Sequence, residues 1–218
     1  VRTRASASAY FNRTPASASN RQTWTWSGWV KRGVLGSQCD LFCGDSSTTI
    51  SEINIGSDDT LKFWQSGTTL ARQSTAVFRD PSAWYHIVVV LDTTNATAQN
   101  RCRMYVNGVE ITTWTTNNTI TQNSQFGINT ATAHNLGRST AASIYFDGYL
   151  TEINFIDGQA LTPASFGVID SVTGVWNPIR YSGTYGTNGF YLNFSDNSAA
   201  TAAAIGAAGS NLFKSANG

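Results

Sequence analysis

The stretch Phe146-Asp-Gly-Tyr-Leu-Thr-Glu-Ile-Asn-Phe-Ile-Asp-Gly-Gln-Ala-Leu-Thr-Pro163 decides the fold of this chain. Tyr149, Thr151, Ile153 and Phe155 fall on one face and Leu150, Glu152 and Asn154 on the other, the period of a β-strand half covered by its neighbours. Gly148 is placed to kink the start. Asp157-Gly158 turns the chain, Thr162 is a good N-cap for the single helical turn Pro163-Ala-Ser-Phe166, and Gly167 is available to end it. The pattern predicts a strand at the edge of a sheet, closed by one short helix.

Outward from that stretch the signals are all of β type. Trp84-Tyr-His-Ile-Val-Val-Val-Leu91 is a continuous β-branched run suited to the middle of a sheet. Arg101-Cys-Arg-Met-Tyr-Val106, Asn107-Gly108 and Val109-Glu-Ile-Thr112 form a hairpin, because Asn-Gly supplies the two positive-φ residues of a type I′ turn. Its alternation turns Cys102, Met104 and Val106 inward and Arg101, Arg103 and Tyr105 outward. Glu52–Ile55 and Leu61–Trp64 flank Gly56-Ser-Asp-Asp59 as a second hairpin. Trp24 and Trp26 share a face before Gly28 interrupts their strand, and with Trp84 they read as core. Thr112 to Thr121 is a polar Thr/Asn stretch predicted to be a wide loop, and Gly174 to Gly189 is another loop before the last alternating strand, Phe190–Phe194. The organisation expected is an N-terminal arm or edge strand over 1–20, one sandwich over 21–198, and an Ala/Gly-rich tail or linker over 199–218.

With 41% hydrophobic and 12% aromatic residues in 218, the chain can fill a two-layer core. Charged residues are only 12%, against about 25% in ordinary globular chains, so solubility rests on hydroxyls and amides. A formal net charge of +1 with scattered Lys and Arg offers no basic stripe for phosphates, which excludes nucleic acid as a partner. No window approaches the roughly 18 apolar residues of a membrane helix, so no membrane insertion is expected. The start, which lacks Met and an apolar core, suggests a processed product or a piece of something longer. Cys39, Cys43 and Cys102 cannot close a disulfide framework and read as buried small hydrophobes.

Taken in order, Trp84-Tyr-His-Ile-Val-Val89, Met104-Tyr-Val-Asn-Gly108, Phe146–Ile153 and the helical turn resemble the laminin-G-like branch of the concanavalin A-like lectin/glucanase superfamily. The resemblance covers about residues 20 to 200. It is greatest to versions carried on bacteriophage virion proteins, through Phe155-Ile-Asp-Gly-Gln-Ala-Leu-Thr-Pro-Ala-Ser-Phe-Gly167, Trp176 and Tyr185–Asp196. It implies an all-β jelly-roll sandwich of two antiparallel sheets with one or two short helical turns. It also implies an extracellular virion-surface domain of a tail or head fibre, spike or decoration protein. Its partners would be other virion proteins and host surface glycans, in a homo-oligomer such as the trimer common among fibres.

The chemistry in the sequence points to binding. Glycosidases of this superfamily align two or three carboxylates on one strand, whereas Glu52, Glu110 and Glu152 lie on three segments, so no enzyme is expected. His86 reads as a core or edge histidine and His134 as a loop anchor, and neither has a nucleophile placed beside it. Trp64, Trp114 and Tyr185 are the candidates for stacking on sugar rings, since they lie at strand ends or in polar loops; packing against a neighbouring subunit is the rival role for the two tryptophans. The resemblance raises calcium as a cofactor. Asp40, Asp45, Asp58, Asp59, and Asp92 with Asn95 are its candidate ligands, of which Asp58, Asp59, Asp92 and Asn95 are preferred. The same residues also serve simply to make turns.

Overall fold

The computed structural model describes residues 1–45, 50–66, 69–139, 143–194, 201–202 and 213–216. In chain order the strands are β1 (Arg2–Thr3), β2 (Tyr10–Arg13), β3 (Thr23–Arg32), β4 (Cys39–Asp45), β5 (Ile50–Ile55), β6 (Thr60–Ser66), β7 (Thr69–Val77), β8 (Tyr85–Asp92) and β9 (Cys102–Val106). They continue with β10 (Val109–Glu110), β11 (Trp114–Asn117), β12 (His134–Leu136), β13 (Gly148–Asp157), β14 (Gly167–Ile169), β15 (Trp176–Pro178), β16 (Phe190–Leu192), β17 (Thr201–Ala202) and β18 (Phe213–Ala216). The only helices among the described residues are short 3-10 turns, including Pro163–Ser165 at the predicted helical turn.

Two antiparallel sheets make the sandwich. One runs β1-β13-β3-β8-β9-β10, with β16 also on β13; the other runs β11-β7-β6-β5-β4-β12-β2-β18-β17. The predicted tail thus contributes β17 and β18, which pair with each other, and β18 pairs with β2; the rest of 199–218 lies outside the described residues. Trp24, Trp26, Ile87, Val89, Leu91 and Met104 from the first sheet meet Leu41, Phe42, Ile53, Ile55, Leu61 and Phe63 from the second in one continuous core. Burying each such side chain contributes about 1.5–3 kcal/mol.

Both predicted hairpins are present. Ile55 pairs with Leu61 and Val109 with Val106, and Asn107 and Gly108 hold φ of 50° and 81°, as the I′ turn requires. The three cysteines are free and buried. β8 sits between β3 and β9, in mid-sheet.

Several expectations are corrected. β13 is interior, flanked by β3 on one side and by β1 and β16 on the other. Its register to β3 shifts between Thr151 and Asn154, where Glu152 adopts φ 52°. This bulge reverses the alternation, so that Leu150, Ile153 and Phe155 are all core while Tyr149 is exposed. Gly28 does not interrupt β3: a Cβ there would lie 2.5 Å from Ile153 Cδ1, so the glycine makes room for the neighbouring strand inside a continuous one. Trp84 is 37% exposed and meets Tyr149 edge-on at 6.4 Å, because it precedes β8 at the sandwich end. Tyr105 faces outward as read, yet is buried under Phe166 and the 160–185 segment that covers that face. Arg101 is buried too, its guanidinium spent on backbone carbonyls. The Thr112–Thr121 loop contains edge strand β11, and Thr162 makes no side-chain cap bond.

Candidate functional site

Trp114 lies on β11, the edge strand of the larger sheet, paired to Ser74 of β7. One side of its ring packs on the core and the Arg72 guanidinium sits 5.7 Å from the ring centroid. Arg72 is itself buried and fixed, donating to the carbonyls of Ala71 at 3.0 Å and Asn118 at 2.5 Å. Opposite Trp114 stands the 3-10 turn Ala98–Arg101. Arg101 ties that turn down by donating to the carbonyls of Asn95 (2.8 Å), Ala96 (3.1 Å) and Ile120 (2.8 Å). Between them opens a pocket of about 220 Å³ lined by Trp114, Arg72, Gln99, Asn100, Asn117, Glu110, Thr112, Ile111 and Cys102.

The pocket combines an aromatic platform, three exposed amides, a hydroxyl and one carboxylate. Those groups offer donors and acceptors toward hydroxyls and one flat apolar wall, the chemistry that recognises a sugar ring. Of the lining residues the sequence singled out Trp114 alone. Gln99 and Asn100 lie on a short 3-10 turn and Asn117 ends edge strand β11, in polar sequence where no hydrophobic periodicity marks a face, and only the folded chain brings them to one rim.

The other aromatic candidates lie elsewhere. Trp64 is half-buried on β6, paired with Glu52 of β5, and points away from the core-facing Phe63. Tyr185 packs on the outer face of the smaller sheet beside Tyr181, edge-on at 5.2 Å, and donates to Asn154 Oδ1 at 3.3 Å. Next to it Tyr191 donates to Glu152 Oε2 at 2.6 Å. Burial pushes the Tyr185 phenol up to about 12. The three aromatics therefore do not form one site.

The preferred calcium ligands are engaged locally and in separate turns. Asp59 accepts from Arg32 and Arg79, each at 2.8 Å, and from the Gly36 amide at 2.9 Å. Although burial opposes it, these donors hold its carboxyl down to about 2. Asp58 takes Lys62 and Gln73, both at 2.9 Å. Asp92 caps its own turn through the Thr94 hydroxyl at 2.6 Å, with Asn95 Nδ2 at 3.5 Å. These four residues do not converge on an ion, and no group of three or more His, Cys, Asp or Glu suited to a metal occurs among the described residues. The Asp45 side chain lies outside them.

Asp40 has a different setting. It is wholly buried on β4 against Glu52 of β5, and burial, reinforced by the Glu52 charge, raises its carboxyl to about 7. Burial raises the Glu52 carboxyl as well.

His86 stacks between Trp29 (5.1 Å) and Trp176 (5.9 Å). Trp176 Nε1 donates to His86 Nδ1 at 2.8 Å, so the proton resides on Nε2, which donates to Ser27 Oγ at 2.9 Å. A ring with this tautomer cannot take the Ser27 proton, and the pair is no nucleophile with its base. His134 Nδ1 donates to the Thr132 carbonyl at 2.9 Å while Nε2 accepts from the Asn129 amide at 2.8 Å, which anchors the 129–132 loop.

An all-β sandwich of two antiparallel sheets with an aromatic pocket at its edge is the class these features define. Residues 5–165 match the laminin-G model of the concanavalin A-like lectin/glucanases superfamily, and the chain belongs to that family. Among solved structures it is similar to a candidate carbohydrate binding protein from Bacteroides ovatus, with TM-score 0.60 and 14% identity over 95% of this chain. The chain spans 55% of that protein's length. Domain 4 of the extracellular arabinanase AbnA from Geobacillus stearothermophilus, in complex with arabinotriose, matches at TM-score 0.53 and 19% identity, covering 70% of this chain and 68% of that one. A heptameric SAP-like pentraxin from Limulus polyphemus matches at 0.50 and 15%, covering 70% and 71%. At these identities the likeness shows the fold. No curated protein matches.

Proposed function

We propose that this chain is a non-catalytic glycan-binding domain, displayed on a bacteriophage virion surface, that holds host-surface sugars in the Trp114 pocket. The observation that carries the reading is the composition of that pocket: one half-buried tryptophan ringed by Gln99, Asn100, Asn117, Thr112 and Glu110. The family and the fold-level likeness to a carbohydrate binding protein and to an arabinanase domain support it. The virion setting rests on the sequence resemblance of Phe155–Gly167, Trp176 and Tyr185–Asp196. Glycoside hydrolysis needs two carboxylates flanking the bond, and Glu110 is the one carboxylate on this pocket. Weak single-site binding multiplied over many copies suits adhesion.

Saturation-transfer NMR of the domain with arabinotriose and with bacterial surface polysaccharides tests the reading. Sugar-proton signals are expected from at least one of them, and Trp114→Ala should weaken the affinity about fivefold or more, taking the loss of a ring stacked on an aromatic face at about 1–3 kcal/mol. Signals that survive Trp114→Ala unchanged would move the site elsewhere.

A second reading, an assembly module binding other virion proteins, is favoured by one observation. The β14–β15 hairpin exposes Ile169 at 62%, Val172 at 92% and Val175 at 54%.

A further inference from the structure

The outer face of the smaller sheet is roofed only in part. The 160–185 segment covers Val88, Val90, Tyr105 and Ile156, and the corner where β1, β13 and β3 meet the start of β8 stays open. There the register lines up one row across the sheet: Arg2 pairs with Tyr149, and Tyr149 with Lys31. Val30 pairs with Tyr85, so the position that follows Lys31 in the row is Trp84. Leu150 and Val30 are core, which turns their neighbours Tyr149 and Lys31 outward. A cation, a ring, a cation and a ring therefore alternate over three strand spacings, about 14 Å.

The rings of this row are exposed yet held in place. Trp84 is 37% and Tyr149 39% exposed; Trp84 meets Tyr149 edge-on at 6.4 Å, and the Arg2 guanidinium stands 5.5 Å from the Tyr149 centroid. The cations are not neutralised. Ion pairs among the described residues are Arg32–Asp59, Lys62–Asp58 and Arg79–Asp59, and none involves Arg2 or Lys31. Lys31 does feel the charge of Asp80, but that carboxylate is already bonded to the Ser82 amide at 2.8 Å and hydroxyl at 2.6 Å. A fixed aromatic face with a cation one strand spacing away suits a flat ring that carries an anion on its edge. A uronic acid is such a ring: its C–H face stacks on the indole and its carboxylate pairs with the cation. In an extended uronate chain the acids recur at a spacing comparable to that of the strands, so Arg2 and Lys31 meet successive carboxylates. A nucleic-acid backbone needs more than two cations to be held.

We propose that Arg2, Lys31, Trp84 and Tyr149 form a second binding surface, for acidic polysaccharide built of uronic acids. It lies on the sheet opposite the one that carries Trp114 and does not depend on the Trp114 pocket holding a sugar.

Calorimetric titration of the full chain with oligomers of galacturonate, mannuronate and glucuronate, each beside its uncharged methyl ester, tests this apart from the pocket. At least one acid should bind, more tightly than its ester, with an affinity that falls as salt rises from about 0.01 to 0.15 M. Trp84→Ala should weaken that binding about fivefold or more, and Lys31→Gln, which keeps the stem and removes the charge, about two- to fivefold. Trp114→Ala should leave it unchanged. In the parent chain the Trp84 indole N–H resonance should shift during the titration, a readout that needs no variant to fold. Binding of none of the three acids would overturn the proposal, as would binding equal to that of the esters or binding that survives both Trp84→Ala and Lys31→Gln. Loss in Trp114→Ala alone would give the acid to the pocket and overturn it too, and equal binding of single-stranded DNA of matched charge would do the same by showing a site for anions of any kind.

Discussion

His86 and His134 are buried, with 0% and 3% exposure, and both are held neutral. Desolvation lowers each from the ordinary 6.5 to about 4; for His134, Arg13 adds to the lowering while the bond to the Thr132 carbonyl opposes it. A histidine whose folded pKa is depressed contributes stability that is complete above 6.5 and is lost as the pH falls toward 4, because the unfolded chain takes up the proton first. Each contributes up to about 3 kcal/mol, at about 1.36 kcal/mol per pKa unit. The imidazole proton resonances of the native protein should therefore show no titration between pH 8 and 5. A titration near 6.5 for either ring would mean that it is solvated. The anchoring role of His134 was legible in the sequence though its burial was not, whereas a core or edge place for His86 was legible in its apolar strand. Its tautomer was not, since that is set by Trp176, ninety positions away along the chain.

At the scale of the element, β13 separates what a pattern can specify from what it cannot. The existence of the strand and the turn after it were legible in the alternation and in Asp157-Gly158. The phase was not, because the bulge at Glu152 depends on pairing to β3 and leaves no mark in hydrophobicity. The consequence is measurable. Leu150→Ala should cost about 2–5 kcal/mol, since it empties a fully buried position, whereas Tyr149→Ala, on the exposed face, should cost no more than about 1 kcal/mol. Unbroken alternation would predict the reverse order, and urea unfolding of the two variants decides between them. The same limit explains the pocket. A lone tryptophan in a Thr/Asn stretch was visible, but Gln99 and Asn100 reach it from a turn whose position Arg101 fixes through three carbonyls.

Across the whole molecule the surface carries little charge, and a net +1 with a pI of about 7.9 leaves almost no electrostatic repulsion between copies near pH 8. Against that background the β14–β15 hairpin matters. It forms a two-stranded sheet of its own, pinned from below by Trp176, whose ring lies over Gly108 and bonds His86. It exposes Val168, Ile169, Val172 and Val175 to solvent. Apolar side chains on a rigid, pinned support lose little entropy when covered, which favours self-association through this hairpin. Sedimentation velocity should show weight-average size rising with concentration near pH 8, with little effect of salt because few charges take part. The double variant Ile169→Lys, Val172→Lys should abolish the rise and leave the melting temperature within about 2 °C, both residues being exposed. If the parent stays monomeric throughout, copies of this chain are not what the hairpin binds, and its apolar face must serve a different virion protein for the assembly reading to hold.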